Sequence, residues 1–237
     1  MIVVKSAQPM IPLRDDAPRS TTPLVNYFLI LLNVVVFLFE LTLPPRAQAG
    51  FETQFGFVPY RVDAWLAGAI PASAAIVPAF TSMFLHGGWL HLIGNMWFLF
   101  IFGDNVEDRL GHFRYLVSYL LCGLVGTFTH FAFNVHSHIP SLGASGAIAG
   151  VLGAYFLLYP SARVLTWFGF FVLQLPAWLV LGYWFVLQFL SGAATSISYA
   201  SETGGIAFWA HVGGFLTGMA LVKLLPTRKA YYSFEDY

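Results

Sequence analysis

The sequence predicts an all-α, polytopic membrane protein: six transmembrane helices in one bundle, with a long outer loop between the first and the second. Three observations carry that prediction. Hydrophobic residues make up 58% of the chain and charged ones 9%, against about 25% charge in an ordinary soluble domain, so most of the surface must face lipid. Apolar runs cover residues 24–43, 89–102, 115–133, 142–159, 164–190 and 206–225, several of them near the ~20 residues that cross a bilayer. With six spans, Lys5, Arg14, Arg19, Arg109, Arg114, Arg163, Lys223, Arg228 and Lys229 share one side and only Arg46 and Arg61 lie opposite. Cations cluster on the cytoplasmic side, so both ends are placed there.

Residues 1–23 form a cytoplasmic N-terminal segment of mixed charge. The run at 24–43 lacks a small-residue cleavage pattern at its end and reads as an anchor, not a removable signal. Residues 64–85 are also apolar, but they are rich in Ala, interrupted by Pro71 and Pro78, and short of the Leu and Phe that drive insertion. Counting them as a span would leave three cations on the N-terminal side and eight on the other, so residues 44–88 are read as an outer loop partly sunk in the interface. The run at 164–190 is taken as the fifth span, and residues 191–205, rich in Ser, Gly and Thr, as the loop before the sixth. Residues 24–225 make one membrane domain, and 226–237 a cytoplasmic tail whose last seven residues are expected to be disordered. A net charge of zero predicts no nucleic-acid surface. Cys122, alone and within an apolar run, excludes an internal disulfide and a cysteine metal site.

Polar groups inside such spans are costly and mark function or helix pairing. Spans two, four and six run from outside to inside. His91 and Asn95 lie near the outer start of the second, Ser145 near that of the fourth, and His211 five residues into the sixth. At ~1.5 Å per residue all four sit within roughly 10 Å of the outer helix ends. His91 and Asn95, four apart, share a helix face and can donate to one acceptor; His86, just upstream, can support them. Gly146, Gly150 and Gly153 in span four and Gly214 and Gly218 in span six permit the close backbone approach that would bring Ser145 to His211.

A serine hydroxyl needs a neighbouring base to act as a nucleophile, and a neutral imidazole suits that task near pH 7. His91, Asn95 and the Ser145 backbone N–H are the candidate donors to a tetrahedral oxyanion. Asp104, Glu107 and Asp108 lie at the inner end of span two, too far to complete a triad, so the pattern reads as a Ser–His dyad. Taken singly, each residue has a blander use: the serine bonding back to its own helix, the histidine pairing with a neighbour, the glycines only packing, and His136 and His138 simply solvated. Their conjunction at one depth is what points to catalysis. A zinc protease would need a His-Glu-x-x-His string, which is absent; Asp104 has no aspartate partner in another span; and Glu40, near a helix end, is poorly placed for a transporter.

His-Gly-Gly-Trp-Leu-His-Leu-Ile-Gly-Asn at 86–95, Gly-Ala-Ser-Gly at 143–146, Ala210-His211 followed by Gly214, and the Glu-x-Arg string Glu107-Asp108-Arg109 together resemble the rhomboid family of intramembrane serine proteases. The resemblance implies Ser145 as nucleophile, His211 as base, and His91 and Asn95 with the Ser145 N–H as the oxyanion site. His86, Gly143 and Gly146 are implied as supports, and Glu107–Arg109 as structural. It also implies a lipid-embedded enzyme without metal or cofactor, cutting transmembrane protein substrates near the outer face, where small residues let a helix unwind. The compact form is similar to bacterial members, which implies the inner membrane. Loops 44–88 and 191–205 are candidate covers. Where some relatives carry an aromatic residue that stacks on the histidine, this chain has Ala149, so Trp209 or Phe208 is expected to restrain His211 instead. The alternative is a catalytically silent rhomboid-like protein that binds membrane clients, although such proteins generally lack the serine or the histidine, and both are present here.

Overall fold

A computed structural model describes residues 10–198 and 206–229. The chain is an all-α polytopic bundle with one small sheet at an end. Its long helices are α1 (Leu24–Thr42), α5 (Trp89–Leu110), α6 (His112–Phe133), α7 (Ser145–Leu158), α8 (Ala177–Ser198) and α9 (Phe208–Leu224). Between α1 and α5 lie the short helices α2 (Pro45–Phe55), α3 (Pro59–Leu66) and α4 (Ser73–Thr81), followed by a 3₁₀ turn at Ser82–Phe84. By length and composition α1, α6 and α8 can each cross a membrane, while α7 and α9 are shorter apolar helices. Residues 73–84 and α5 meet that test together but are bent by 76°. The Ala-rich run at 64–85 is thus not a straight span: Pro71 falls in the break before α4 and Pro78 within it.

α7 is buried on every side from Gly146 to Tyr155, the pattern of a helix at the centre of a bundle. Its neighbours approach backbone to backbone. A methyl group at Gly214 would collide with the Gly146 carbonyl, one at Gly218 with the Gly150 carbonyl, and one at Gly153 with the Phe215 carbonyl. On the other flank, a methyl at Gly150 would strike Cys122 of α6. The small-residue stripes therefore bring α7 and α9 into direct contact, as their spacing predicts.

The fifth apolar run departs from the expected single span. Arg163–Phe168 forms β2 and Phe171–Pro176 forms β3, an antiparallel hairpin; Met10–Asp15 forms β1 and pairs antiparallel with β2, giving the order β1-β2-β3. A continuous apolar run suits a strand as well as a helix, and here Gly169 (φ +59°) turns the chain while Pro176 closes the strand. α8 begins only at Ala177 and continues to Ser198, so the first half of the loop expected at 191–205 is helix. Residues 199–205, and the tail from 230 onward, lie outside the described residues.

Candidate active site

The site forms at the ends of α5, α7 and α9 around the loop that precedes Ser145. Residues 44–88 hold that loop: Phe57 and Ser141 exchange both backbone hydrogen bonds, 2.7 and 3.1 Å, and the Gly143 N–H donates to the Ser82 carbonyl at 2.9 Å. The chain then passes Gly143 at φ +120°, a conformation suited to glycine. A side chain there would strain the backbone and displace His91, because a Cβ would lie 2.6 Å from His91 Nε2 and in contact with Asn95 Nδ2 at 3.5 Å. Gly143 thus lets both α5 side chains reach the backbone beside Ser145. Ser145 is the first residue of α7, where first-turn N–H groups lack partners within the helix and the helix dipole is positive.

The Ser145 hydroxyl lies 2.7 Å from His211 Nε2. On the far side of the ring, Nδ1 lies 2.7 Å from Gln188 Oε1. The carbonyl oxygen of an amide only accepts, so Nδ1 carries the proton and Nε2 is the acceptor for the Ser145 O–H. This is the tautomer a general base needs. His211 is buried, and the Trp184 ring lies 5.7 Å from its own, tilted by 32°.

The Asn95 amide donates to His86 Nε2 at 3.0 Å, and the His86 and His91 rings meet edge-on at 5.1 Å. The His86 backbone N–H in turn donates to Glu40 Oε2 at 3.4 Å. Ser145, His211, His91, Asn95, His86 and Gly143 are thus drawn to one end of the bundle, with Gly146 against Ala210 of α9.

A family model described as the rhomboid domain matches residues 74–228, well over half of the chain. The chain belongs to the rhomboid family. It is 31% identical over 159 residues to the human presenilin-associated rhomboid-like protein, mitochondrial, covering 63% of this chain and 38% of that protein. With RHOMBOID-like protein 6, mitochondrial, of Arabidopsis thaliana it shares 33% identity over 162 residues, 66% of this chain and 46% of the relative. Rhomboid-like protein 11, chloroplastic, of the same plant is 33% identical over 152 residues, 61% and 51%. The matches therefore span about half or less of these relatives' own lengths.

Two residues of this rhomboid-family site escaped the sequence reading. Gln188 and Trp184 stand four apart on α8, one turn from each other, and both face His211. Gln188 was visible as an amide in an apolar run, the same signal that singled out Asn95. The aromatic beside the imidazole is Trp184 rather than Trp209 or Phe208; Trp209 stacks instead on Phe133 at 3.8 Å.

Proposed function

We propose that this rhomboid-family protein is an intramembrane serine endopeptidase that hydrolyses peptide bonds in or near transmembrane segments of membrane-protein substrates. The observation that carries this reading is the hydrogen-bonded chain from the Ser145 hydroxyl through His211 to Gln188. As a substrate carbonyl approaches, Ser145 Oγ attacks its carbon and His211 Nε2 takes the hydroxyl proton. Asn95, His91 and the Ser145 backbone N–H would donate to the oxyanion, each such donor contributing about 100- to 1,000-fold in rate. The imidazolium returns its proton to the leaving amine as the C–N bond breaks. A water then attacks the acyl ester, giving its proton to His211, and the carboxylate product leaves with Ser145 restored. Gln188 fixes the tautomer and ring plane throughout but, being neutral, adds no charge stabilisation to the imidazolium.

The cation distribution supports a cell membrane, in a bacterial host the inner one, with both termini cytoplasmic and residues 24–225 as the membrane domain; the relatives named above are organellar. A fluorophosphonate probe on the protein in liposomes, together with cleavage of a single-span substrate, tests the reading. Wild type should label and cut, and Ser145→Ala should do neither, with activity down at least about 10⁴-fold. Equal labelling of both would remove the nucleophile, and a client bound but never cut by wild type would favour a silent binder.

A further inference from the structure

We propose that the β2–β3 hairpin is a membrane anchor, its apolar tip inserted in the head-group and upper acyl region of the leaflet at the end opposite Ser145. From Val164 to Pro176 the chain contains no Asp, Glu, Lys, Arg or His. The base of the hairpin packs into the protein, with Val164 and Thr166 buried. Its outer half does not. Phe170 at the tip is 101% exposed, Phe171 66%, Val172 56% and Trp167 49%. A patch of this kind needs an occupant, since an aromatic hairpin tip standing in water would carry a large unfavourable hydration cost.

The bilayer is the occupant that covalent continuity supplies. Pro176 passes directly into α8, which is long and apolar enough to cross the membrane, and Trp178, at its second residue, is exposed. Two six-residue strands at ~3.3 Å per residue reach roughly 20 Å from that entry point, so the tip stays close to the leaflet surface. Aromatic residues favour this depth. The Trp167 indole N–H is satisfied by the Gly169 carbonyl at 2.7 Å, so the ring can leave water without stranding a donor. The outer edge of β3 limits the depth. Its backbone groups have no strand partner among the described residues, and such groups are tolerated at the interface but not in the hydrocarbon core. Arg163, exposed at the base, would lie at head-group level.

The test places an environment-sensitive fluorophore at Phe170→Cys in a Cys122→Ala background, in liposomes of phosphatidylcholine and phosphatidylglycerol. The expected result is blue-shifted emission, quenching by nitroxide lipids labelled at the head group or upper chain, and iodide quenching several-fold weaker than for the free dye–cysteine adduct. Iodide quenching equal to that of the free adduct would put the tip in water and overturn the proposal. Protection from iodide without lipid quenching, accompanied by disulfide-linked dimers of unlabelled Phe170→Cys protein, would overturn it in favour of a second copy pairing along β3. The readout is fluorescence, so it does not depend on proteolytic activity.

Discussion

The two ends of the bundle use buried polar groups in opposite ways. At the end opposite Ser145, carboxylates are saturated. Glu107, fully buried, accepts from the Val25 and Asn26 N–H groups at 3.0 and 2.7 Å and meets His112 Nδ1 at 2.5 Å. Asp108 accepts from the Thr21 N–H at 2.8 Å and from the Ser20 and Thr21 hydroxyls. Arg109 Nε donates to the Arg228 carbonyl at 2.6 Å and thereby ties the chain beyond α9 to α5. At the Ser145 end the described groups are imidazoles, an amide and a hydroxyl, with Glu40 behind them, and the network is incomplete: His86 Nδ1 and Glu40 Oε1 are buried with no hydrogen-bond partner among the described residues. The contrast separates stability from chemistry. Carboxylates that accept from several groups hold helices together, whereas on the proposed reading the amide, imidazole and N–H groups around Ser145 must still be able to meet a developing charge.

The largest effect that would sharpen this contrast is expected at Glu107. Replacing it with Ala strands the first N–H groups of α1 in a buried setting, at about 1–3 kcal/mol each. Glu107→Ala should therefore lower unfolding stability by roughly 3–5 kcal/mol in a denaturant titration, and lose activity only as far as folded protein is lost. Asn95→Ala should shift the balance the other way, cutting kcat by about 100- to 1,000-fold while costing only about 1–3 kcal/mol for the single acceptor, His86 Nε2, that it strands. If Asn95→Ala proved as destabilising as Glu107→Ala, the division between the two ends would fail.

Both ends were legible in the sequence to different depths. His91, Asn95, Ser145 and His211 could be placed together because the helix rise converts position in a span into depth, and depth was enough to collect them. The α7–α9 contact followed from its glycines. What Glu107 and Asp108 hold could not be read, since their partners are backbone groups more than eighty residues away in the chain. The hairpin was hidden for a different reason: an unbroken apolar run has no period to separate strand from helix, and only Gly169 and Pro176 hinted at a break. Gln188 was missed because one amide among aromatic and aliphatic neighbours carries little weight until the imidazole it faces is known.

A smaller effect is expected where β1 joins the saturated end. Asp15 meets the Tyr155 hydroxyl, and Asp16 accepts from the Arg163 N–H at 2.7 Å, so the strand is strapped to α7 and β2. Burial pushes the Asp15 carboxyl up from 3.8 to about 6; the Tyr155 hydrogen bond opposes the rise and the nearby Asp104 and Asp16 charges add to it. The folded state therefore prefers the neutral acid. Its contribution is full below pH 3.8 and is lost as pH rises through about 6, a change of roughly 3 kcal/mol. Tm measured from pH 4 to pH 8 should fall for wild type relative to Asp15→Asn, which keeps a neutral group throughout. Parallel curves for the two proteins would show that Asp15 is not held in its acid form.

The smallest effect is expected at Glu40, and it tests whether the neutral site has a structural backing of its own. Because the Asn95 amide donates to His86 Nε2, the His86 proton sits on Nδ1, buried, and the Glu40 carboxylate already reaches the His86 main chain. Glu40 is then the acceptor that holds the His86 main chain, and through it the imidazole that accepts from Asn95. Glu40→Leu removes that acceptor and lets the imidazole and the amide rotate, so kcat should fall about tenfold, or 1.4 kcal/mol, with KM unchanged. Glu40→Gln retains a carbonyl oxygen at the same place and should recover most of the loss. A Leu variant as fast as wild type would show that His86 is oriented by packing alone. A Gln variant as slow as Leu would show that the carboxyl group itself, rather than an accepting oxygen at that place, is what the site requires from α1.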